Sequence, residues 1–280
     1  MTLLDKVRNR TARARQHPWR TRPYTSSERH VVIGACPRSG TTLLRRILDR
    51  HPSLCCGPET SVLLPTRFIL PALSARSGIP EGELRTMLRS SPSQGAFVDS
   101  FASRYRSDQG KGRWAEKTPL NVRHFGWVLE RFPDARLIHV IRDGRDVVCS
   151  LAEHPDWRWV DGRWLKELKP RPMEDYARTW VRFTGDGIRF RGDPRYHEIR
   201  YEDLVARPEA TLRAAMEFIG EPFDETLLEP DPGRDAVASP DRGEVTGASV
   251  GRWRRDLSEA TLAKILPLMR PRLVELGYEV

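Results

Sequence analysis

The stretch of residues 30–52, HVVIGACPRSGTTLLRRILDRHP, decides the fold. Its first six residues are mostly apolar and β-branched, and such a short run predicts a buried strand. Residues 41–50 place their aliphatic side chains on one face of a helix, which ends at His51-Pro52 because the residue before a proline disfavours helical backbone. A buried strand followed by a polar loop and a helix is typical of an α/β sheet.

The loop that joins this strand to this helix has the composition of a phosphate-binding turn. Backbone N–H groups converge in such a turn, and the helix N-terminus adds partial positive charge. Gly40 permits close approach of a ligand, and the threonines that follow it add hydroxyl donors. The alternative, an ordinary strand–helix turn, would not need this combination of side chains. The candidate phosphate ligands are Pro37, Arg38, Ser39, Gly40, Thr41 and Thr42.

The loop departs from the Walker motif of nucleotide triphosphatases, G-x-x-x-x-G-K-[ST]. Gly34 and Gly40 enclose five residues, and Thr41 stands where the motif has a lysine. The apolar strand RLIHVIRD also puts Arg142 where a Walker B acid would follow. A nucleotide-dependent kinase that uses magnesium is therefore an alternative that the sequence disfavours.

Strand and helix signals alternate along most of the chain. Strands are predicted at 113–117, 136–142 and 196–201, and helices at 119–132, from Asp146 onward and at 208–219. This alternation predicts a P-loop-like central parallel β-sheet, flanked by helices on both faces, with ligands at the carboxyl ends of the strands. We expect a single domain at residues 29–280, preceded by a basic N-terminal tail at residues 1–28.

Other segments give weaker signals. Residues 62–110 are predicted to be mainly helical, and residues 155–175, rich in Trp, Pro and charge, to be irregular. Residues 229–248 carry Pro, Gly and Asp and predict a mobile loop. Ser258 is predicted to cap a last helix, which two prolines would interrupt, Pro267 and Pro271.

The strand–helix unit RLIHVIRDGRDVVCSL repeats the logic of the first loop. Arg142 stands at the end of the strand, where its guanidinium can fork onto a phosphate. Ser150 lies two turns into the helix and offers one more donor. Pairing of Arg142 with Asp143 or Asp146 is the alternative. Together with the first loop, Arg142 and Ser150 indicate a ligand with two separate phosphate groups.

The chain is basic and long enough to form a folded domain. Of its 280 residues, 39% are hydrophobic and 30% charged, which is typical of a globular protein. Lys+Arg 47 against Asp+Glu 38 gives a net charge of +9, which suits an anionic partner. A non-catalytic polyanion-binding protein is thus a second alternative. Because no nucleic-acid-binding motif is visible, nucleic acid is not expected as a partner.

Neither a membrane span nor a secretion signal is predicted. No run approaches the ~18 apolar residues of a membrane span, and the basic N-terminus lacks the apolar core of a signal peptide. The four cysteines show no metal-ligand spacing, and Cys36 and Cys149 fall where buried residues are expected. A disulfide at Cys56 is the alternative. These features predict a cytoplasmic protein with reduced thiols.

The motifs PRSGTTLL and RDGRDVVCSL resemble those of the sulfotransferases that use 3′-phosphoadenosine 5′-phosphosulfate (PAPS). The first resembles the family's 5′-phosphosulfate loop and the second its 3′-phosphate site, with Arg142 and Ser150. RYEDL at 200–204 and SVGRWRRDL at 249–257 resemble further motifs, the latter a C-terminal loop over the nucleotide. The resemblance implies PAPS as donor, 3′-phosphoadenosine 5′-phosphate (PAP) as product, and no metal. It also implies a set of nucleotide-binding residues near the donor: Tyr201, Ser249, Gly251, Arg252, Trp253 and Arg254.

Within that family, RSGTTLLRRILDRHPSLCCGPETSVLLP is most similar to the protein-tyrosine sulfotransferases and their bacterial relatives. That branch uses the glutamate of Gly-x-Glu-Thr as its base, here Glu59, and a lysine in a segment like WAEKTP, here Lys117. The resemblance implies that Glu59 accepts the proton of the acceptor, while Arg38 and Lys117 neutralise the leaving group. This sequence departs from the branch at Ser61 and Pro65, near the positions where members of the branch have arginines that bind an acidic peptide.

The acceptor is predicted only as a hydroxyl, on a phenol, a carbohydrate, a lipid, a peptide or another natural product. The aromatic cluster Trp157, Trp159 and Trp164 is a candidate acceptor mouth, with packing of a long insert as its alternative. Glu59 also has an alternative, which is to cap the following helix or to pair with Arg67. The oligomeric state stays open, a homodimer included.

Overall fold

The computed structural model describes residues 19–65, 68–160, 163–167, 170–229 and 249–280. Its strands are β1 (Val31–Ala35), β2 (Leu54–Cys56), β3 (Arg113–Lys117), β4 (Arg136–Ile141), β5 (Asp156–Val160), β6 (Arg163–Glu167) and β7 (Tyr196–Arg200). The central sheet is parallel, with strand order β2–β3–β1–β4–β7, and β5 and β6 form a separate antiparallel hairpin.

Helices connect the strands and also follow the last strand, β7. They are α1 (Thr41–Leu48), α2 (Leu70–Ser77), α3 (Glu81–Ser90), α4 (Gln94–Asp108), α5 (Phe125–Arg131), α6 (Gly144–Glu153), α7 (Met173–Ile188), α8 (Tyr201–Ala206), α9 (Pro208–Ile219), α10 (Trp253–Asp256) and α11 (Glu259–Glu275). Two 3₁₀ turns add to them, Pro119–His124 and Glu225–Leu228.

The hydrophobic core lies on both faces of the sheet. Strand β1 is central and wholly buried, and successive side chains point to opposite faces. Val31 and Ile33 pack with one layer, which includes residues of α1 and α9, whereas Val32 packs with the other, which includes residues of α4, α7 and α11. The predicted parallel sheet with helices on both faces is therefore confirmed.

Parallel strands bring their carboxyl ends to one edge of the sheet. Ile33 in β1 lies opposite Lys117 at the end of β3, and Ala35 at the end of β1 lies opposite Val140 near the end of β4. Residues that directly follow these strands therefore meet at this edge. Such an edge is where open α/β sheets bind ligands.

Residues 155–175 are not irregular throughout, and that prediction was wrong. Strands β5 and β6 pair in register from Asp156 with Glu167 to Val160 with Arg163. The aromatic residues that made the segment look irregular stabilise the hairpin, since Trp159 and Trp164 lie opposite each other with ring centroids 5.2 Å apart. Aromatic cross-strand pairs of this kind stabilise a sheet.

Two boundaries differ from the predictions near the carboxyl edge. Tyr201 is the first residue of α8 and not the last of a strand, because β7 ends at Arg200. Helix α6 begins at Gly144, two residues before Asp146, because the Asp143 carboxylate accepts the backbone N–H of Arg145 at 2.9 Å and so caps the helix.

Helix α11 runs without a break through both prolines, so the predicted interruption was wrong. Each proline removes one N–H from the helical ladder, but tertiary packing compensates, because one side of the helix is buried in the core by Ile265, Met269 and Leu273. The predicted cap is present, since the Ser258 side chain accepts the N–H of Thr261 at 3.2 Å.

Residues 19–28, the described part of the predicted tail, contact the domain. Arg20 is buried and donates to the Leu63 carbonyl at 2.9 Å and to Gln94 Oε1 at 2.8 Å. Tyr24 donates to an Asp99 oxygen at 2.6 Å. The domain boundary after residue 28 stays a prediction. Residues 1–18 and nearly all of the predicted mobile loop lie outside the described residues.

All four cysteines are buried and free, Cys36, Cys55, Cys56 and Cys149. Within the described ranges, no helix is long and apolar enough to cross a bilayer. The same part of the chain contains no cluster of three His, Cys, Asp or Glu side chains that would hold a metal ion.

Candidate active site

The predicted phosphate-binding turn lies between the end of β1 and the start of α1. Gly40 has φ 93° and Arg38 has φ 73°, so both residues adopt the left-handed conformation. A Cβ on residue 40 would overlap the Tyr201 ring, which explains why glycine is required there. As N-cap, Gly40 also has no side chain to accept the N–H groups of the first turn, which leaves them for a ligand.

The other residues of the turn lie close to these two. The N–H of Ser39 donates to the Cys36 carbonyl at 3.2 Å and tightens the turn. Ser39 and Thr41 are buried, whereas Pro37 and Thr42 are half-buried. Thr41 is the first residue of α1. The sequence thus predicted the position of each of these residues, and their role as ligands stays a prediction.

The turn is linked to the second predicted phosphate site. Arg38 donates from Nε to Ser150 Oγ at 3.0 Å, although 112 residues separate them in sequence. Arg142 donates to the Arg38 carbonyl at 3.4 Å. The two motifs therefore form one continuous polar surface at the carboxyl edge of the sheet.

Arg142 is a buried cation at the centre of this surface. One Nη donates to the Ser249 carbonyl, and the guanidinium lies 4.5 Å above the Tyr201 ring. Its Nε atom is buried without a hydrogen-bond partner. Of the two carboxylates that the sequence offered as partners, Asp146 lies 3.7 Å away, while Asp143 binds Arg145 at 2.7 Å.

Tyr201 and the C-terminal segment complete this surface. Tyr201 and Ser249 hydrogen-bond through their hydroxyls at 2.7 Å. The N–H groups of Gly251 and Trp253 donate to the two carboxylate oxygens of Asp146, at 2.8 and 3.0 Å. Residues 249–253, far away in sequence, are thereby held against α6.

Two predicted nucleotide ligands in this segment form ion pairs. Arg252 donates to Glu153 at 2.8 Å and to Asp256 at 2.6 Å. Arg254 packs on the Trp253 ring, with Cζ 4.5 Å from the centroid, and lies 3.5 Å from Glu279. Their role in nucleotide binding stays a prediction.

Glu59 and Lys117 form an ion pair at the same edge. Lys117 Nζ lies 2.7 Å from Glu59 Oε1, and the lysine side chain is only 3% exposed. The Glu59 side chain is 40% exposed. Of the two alternatives for Glu59, the helix cap does not occur, because α2 begins only at Leu70. Arg67 lies outside the described residues.

Positive charge surrounds Glu59. Partial desolvation raises the pKa of its carboxyl, but the charges of Lys117, Arg76 and Arg38 together hold this pKa below the usual glutamate value. Arg76 also donates to the Glu59 backbone carbonyl at 2.6 Å. Glu59 is therefore ionised at neutral pH and is held from two sides.

With this geometry established, known proteins give its context. A sequence model described as "Sulfotransferase family" matches residues 30–225, which is more than half of the chain. The chain belongs to the sulfotransferase family. The predicted family and enzyme class are thereby confirmed.

Relatives of this sulfotransferase include enzymes named for protein tyrosine. Protein-tyrosine sulfotransferase A of Caenorhabditis elegans is 27% identical over 272 residues, which cover 91% of this chain and 69% of the relative. Protein-tyrosine sulfotransferase of Drosophila melanogaster is 28% identical over 200 residues, which cover 71% of this chain but only 39% of the relative.

Solved structures share the fold of this sulfotransferase. The sulfotransferase domain of the Synechococcus PCC 7002 olefin synthase has a TM-score of 0.60 and 25% identity, and covers 93% of this chain and 98% of that domain. A mouse sulfotransferase complexed with PAP has a TM-score of 0.56 and 14% identity, and the match covers 90% of this chain and 86% of the mouse chain. The second likeness shows the fold alone.

Sequence reasoning missed Glu116, a buried carboxylate behind the ion pair of this sulfotransferase. Glu116 accepts from Thr60 Oγ1 at 2.8 Å, from Thr118 Oγ1 at 2.7 Å and from the Asn121 amide. The pKa of Glu116 is raised above the ordinary glutamate value, because the effect of burial exceeds the opposing effect of these hydrogen bonds. The network fixes the backbone next to Glu59, and its only signal in the sequence was a carboxylate inside the strand RWAEK.

The hairpin β5–β6 is linked to Glu59 through Arg76. The Arg76 guanidinium lies 4.1 Å from the centroid of the Trp164 ring, which in turn packs on Trp159. The structure therefore brings Trp164 of the predicted acceptor mouth to the residue that binds the Glu59 backbone, with Trp159 packed against Trp164. The side chain of Trp157 lies outside the described part of the chain.

Proposed function

We propose that this sulfotransferase transfers a sulfuryl group from PAPS to the hydroxyl of a small acceptor, with Glu59 as general base. One observation carries the proposal: the Glu59–Lys117 ion pair lies at the same sheet edge as the glycine-containing turn before α1 and the buried Arg142. The pair is 2.7 Å long, and Arg38 contributes to the positive potential at Glu59. A base, its neighbouring cations and two phosphate-binding groups are the parts that the reaction needs.

The residues present fit a bisphosphate nucleotide. Arg142 is buried with an Nε that has no partner, a costly arrangement unless a ligand accepts its hydrogen bond. Gly40 allows the Tyr201 ring to pack directly against the turn, which places Tyr201 next to the proposed 5′ site. In support, two proteins of the same fold were crystallised with PAP, the mouse sulfotransferase above and a retinol dehydratase with a TM-score of 0.50 at 13% identity.

The chain's own residues supply binding and proton transfer. When bound, PAPS supplies an activated sulfuryl group on a phosphate leaving group. The turn at residues 38–42 holds the 5′ end, and Arg142 and Ser150 hold the 3′-phosphate. Glu59 removes the proton of the acceptor hydroxyl. Lys117 and Arg38 stabilise negative charge that develops near them, since such preorganised charges contribute most in a partly dry site.

Calorimetric titration with PAP in the absence of magnesium tests the donor site. We expect micromolar binding that weakens by about 100-fold or more for adenosine 5′-phosphate, because the latter leaves the buried guanidinium without its anion. Equal binding of the two nucleotides would contradict a 3′-phosphate site. If PAP binding required magnesium, the kinase alternative would be favoured. If the protein bound polyanions but not PAP, the non-catalytic polyanion-binding alternative would be favoured.

The hairpin is proposed as the wall of the acceptor site. Trp164 stacks on Arg76, and Arg76 binds the backbone of the base. An acceptor whose hydroxyl reaches Glu59 would therefore lie next to these aromatic rings. A planar phenol fits this surface better than a carbohydrate does, because an aromatic ring gains more from contact with tryptophan.

Replacing Trp164 with alanine tests this side of the site. We expect the KM for a phenolic acceptor to rise by about 3–20-fold, the usual range for a lost stacking or cation–π contact. The KM for PAPS should stay constant, and Trp164→Phe should restore most of the acceptor affinity. Equal acceptor KM values for wild type and Trp164→Ala would leave only the packing role of the hairpin.

The proposed location is the cytoplasm, since all four cysteines are free and a reducing compartment preserves them. The acceptor-bearing partner is a hydroxyl compound, and peptide tyrosine remains one member of the set to be screened.

A further inference from the structure

Asp146 is a buried carboxylate that the proposed reaction does not use. It lies in the first turn of α6 with no exposed surface. Its two oxygens accept the N–H groups of Gly251 and Trp253 at 2.8 and 3.0 Å, and Arg142 lies 3.7 Å away. Burial raises the pKa of Asp146 above the ordinary aspartate value. The two N–H groups and the Arg142 charge lower this pKa, but their effect is smaller.

A turn in the C-terminal segment presents both N–H groups to the same carboxylate. Gly251 has φ 71°, a conformation that side-chain-bearing residues rarely adopt, and its carbonyl accepts the N–H of Arg254 at 3.1 Å. The Trp253 ring is held from another direction, because the Arg145 guanidinium lies 4.0 Å from its centroid. The segment thus docks on α6 through these backbone donors, in addition to the Arg252–Glu153 ion pair.

The same segment contacts the proposed 3′-phosphate site. Arg142 donates to the Ser249 carbonyl, and the Ser249 hydroxyl bonds to Tyr201 at 2.7 Å. Tyr201 lies under the Arg142 guanidinium. A displacement of residues 249–253 would therefore remove two of the contacts that orient Arg142.

We propose that Asp146 is a positioning residue for donor binding, which anchors the segment Ser249–Trp253 and thereby holds Arg142 and Tyr201 in place for the nucleotide. The inference rests on the proposed function for the identity of the nucleotide. The anchoring itself does not depend on that identity.

Hydrogen–deuterium exchange without nucleotide tests the anchor. In the wild type, the amides of Gly251 and Trp253 should be protected, and in Asp146→Ala both should exchange at the rate of exposed amides, while the amides of β1 and β4 stay protected. Asp146→Asn retains one acceptor oxygen but turns an NH₂ group toward the other N–H, so it should lose protection at one of the two amides. Unchanged protection in both variants would overturn the proposal.

Calorimetry with PAP tests the consequence for the donor. Asp146→Asn should weaken PAP binding by about tenfold, the effect of one buried polar group left unsatisfied. The KM for PAPS should rise by a similar factor and the acceptor KM should not. Glu198→Gln is the matched control, because it removes a partly buried carboxylate from the separate Tyr196–Arg191 network; it should leave PAP affinity unchanged.

The two proposals fail in different ways. If wild type binds no PAP, the proposed function fails, and the exchange experiment alone decides whether Asp146 anchors the segment. If wild type binds PAP but both Asp146 variants bind it equally well, the positioning role is overturned and the donor assignment stands. A PAP affinity that falls equally in Glu198→Gln would also overturn it, since general destabilisation would then explain the loss.

Discussion

Replacement of Glu59 by glutamine is expected to lower kcat by about 10²–10⁴-fold, the usual contribution of a positioned general base. Glutamine has nearly the same shape, and its amide oxygen can still accept the Lys117 hydrogen bond that is 2.7 Å long in the wild type. It cannot take a proton from the acceptor. The loss should therefore fall on the chemical step and leave the fold intact.

PAP binding separates this role from a structural one. Glu59 adds negative charge close to Lys117 and Arg38, so its neutralisation should leave PAP affinity unchanged or slightly tighter. Turnover is best measured as PAP release with the most active acceptor from a screen of phenols, sugars and tyrosine peptides. Wild-type turnover in Glu59→Gln would refute the base, and a parallel loss of PAP binding would indicate a damaged fold.

The pH dependence gives a second readout of Glu59. A base works only when ionised, and neighbouring cations hold the pKa of this carboxyl below the ordinary glutamate value of about 4.3. Activity should therefore decline only as the pH falls below that value and the carboxylate is protonated. Removal of one cation by Arg76→Ala should raise this pKa and move the decline of kcat/KM to higher pH.

Local patterns in the sequence were enough to predict the sheet and the phosphate turn. Strands β1 and β4 are largely apolar runs of the expected length, and glycine, proline and hydroxyl residues mark the turn between β1 and α1. Because parallel strands end at one edge, the order of the elements also brought Arg38, Lys117 and Arg142 to a common edge. Their common location follows from the sheet topology, which the alternation of strands and helices along the chain predicts.

Contacts between distant loops were not predictable in this way. The bonds from Gly251 and Trp253 to Asp146 span more than a hundred residues, and no periodicity indicates which carboxylate accepts them. The hairpin β5–β6 was missed because the prolines and the many charged residues of 155–175 obscured the alternation of tryptophan and charge that indicates strand β5. Glu116 was missed because a carboxylate inside a strand signals a buried network only once its donors are known.

Replacement of Arg142 by alanine is expected to weaken PAP binding by about 100-fold, because charge-assisted hydrogen bonds to a phosphate contribute about 1.5–3 kcal/mol each. Binding of adenosine 5′-phosphate, which lacks the 3′ group, should change far less. The measurement is the ratio of the two dissociation constants by calorimetry, since a ratio cancels any general loss of active protein. The wild type should prefer PAP strongly, and Arg142→Ala should show little preference.

Arg142 also supports its surroundings, so the control must remove a comparable group. Arg113 is a buried arginine at the start of β3, away from the carboxyl edge of the sheet, and it pairs with Glu221 at 3.0 Å. In Arg142→Lys the charge remains but the planar fork is lost, and we expect PAP to bind about tenfold more weakly. Arg113→Lys should lower the free energy of unfolding about as much as Arg142→Lys does. It should not change the preference for PAP over adenosine 5′-phosphate. If Arg142→Ala keeps that preference, the 3′-phosphate is bound elsewhere, and the cation stacked on Tyr201 serves only to hold the C-terminal segment in place.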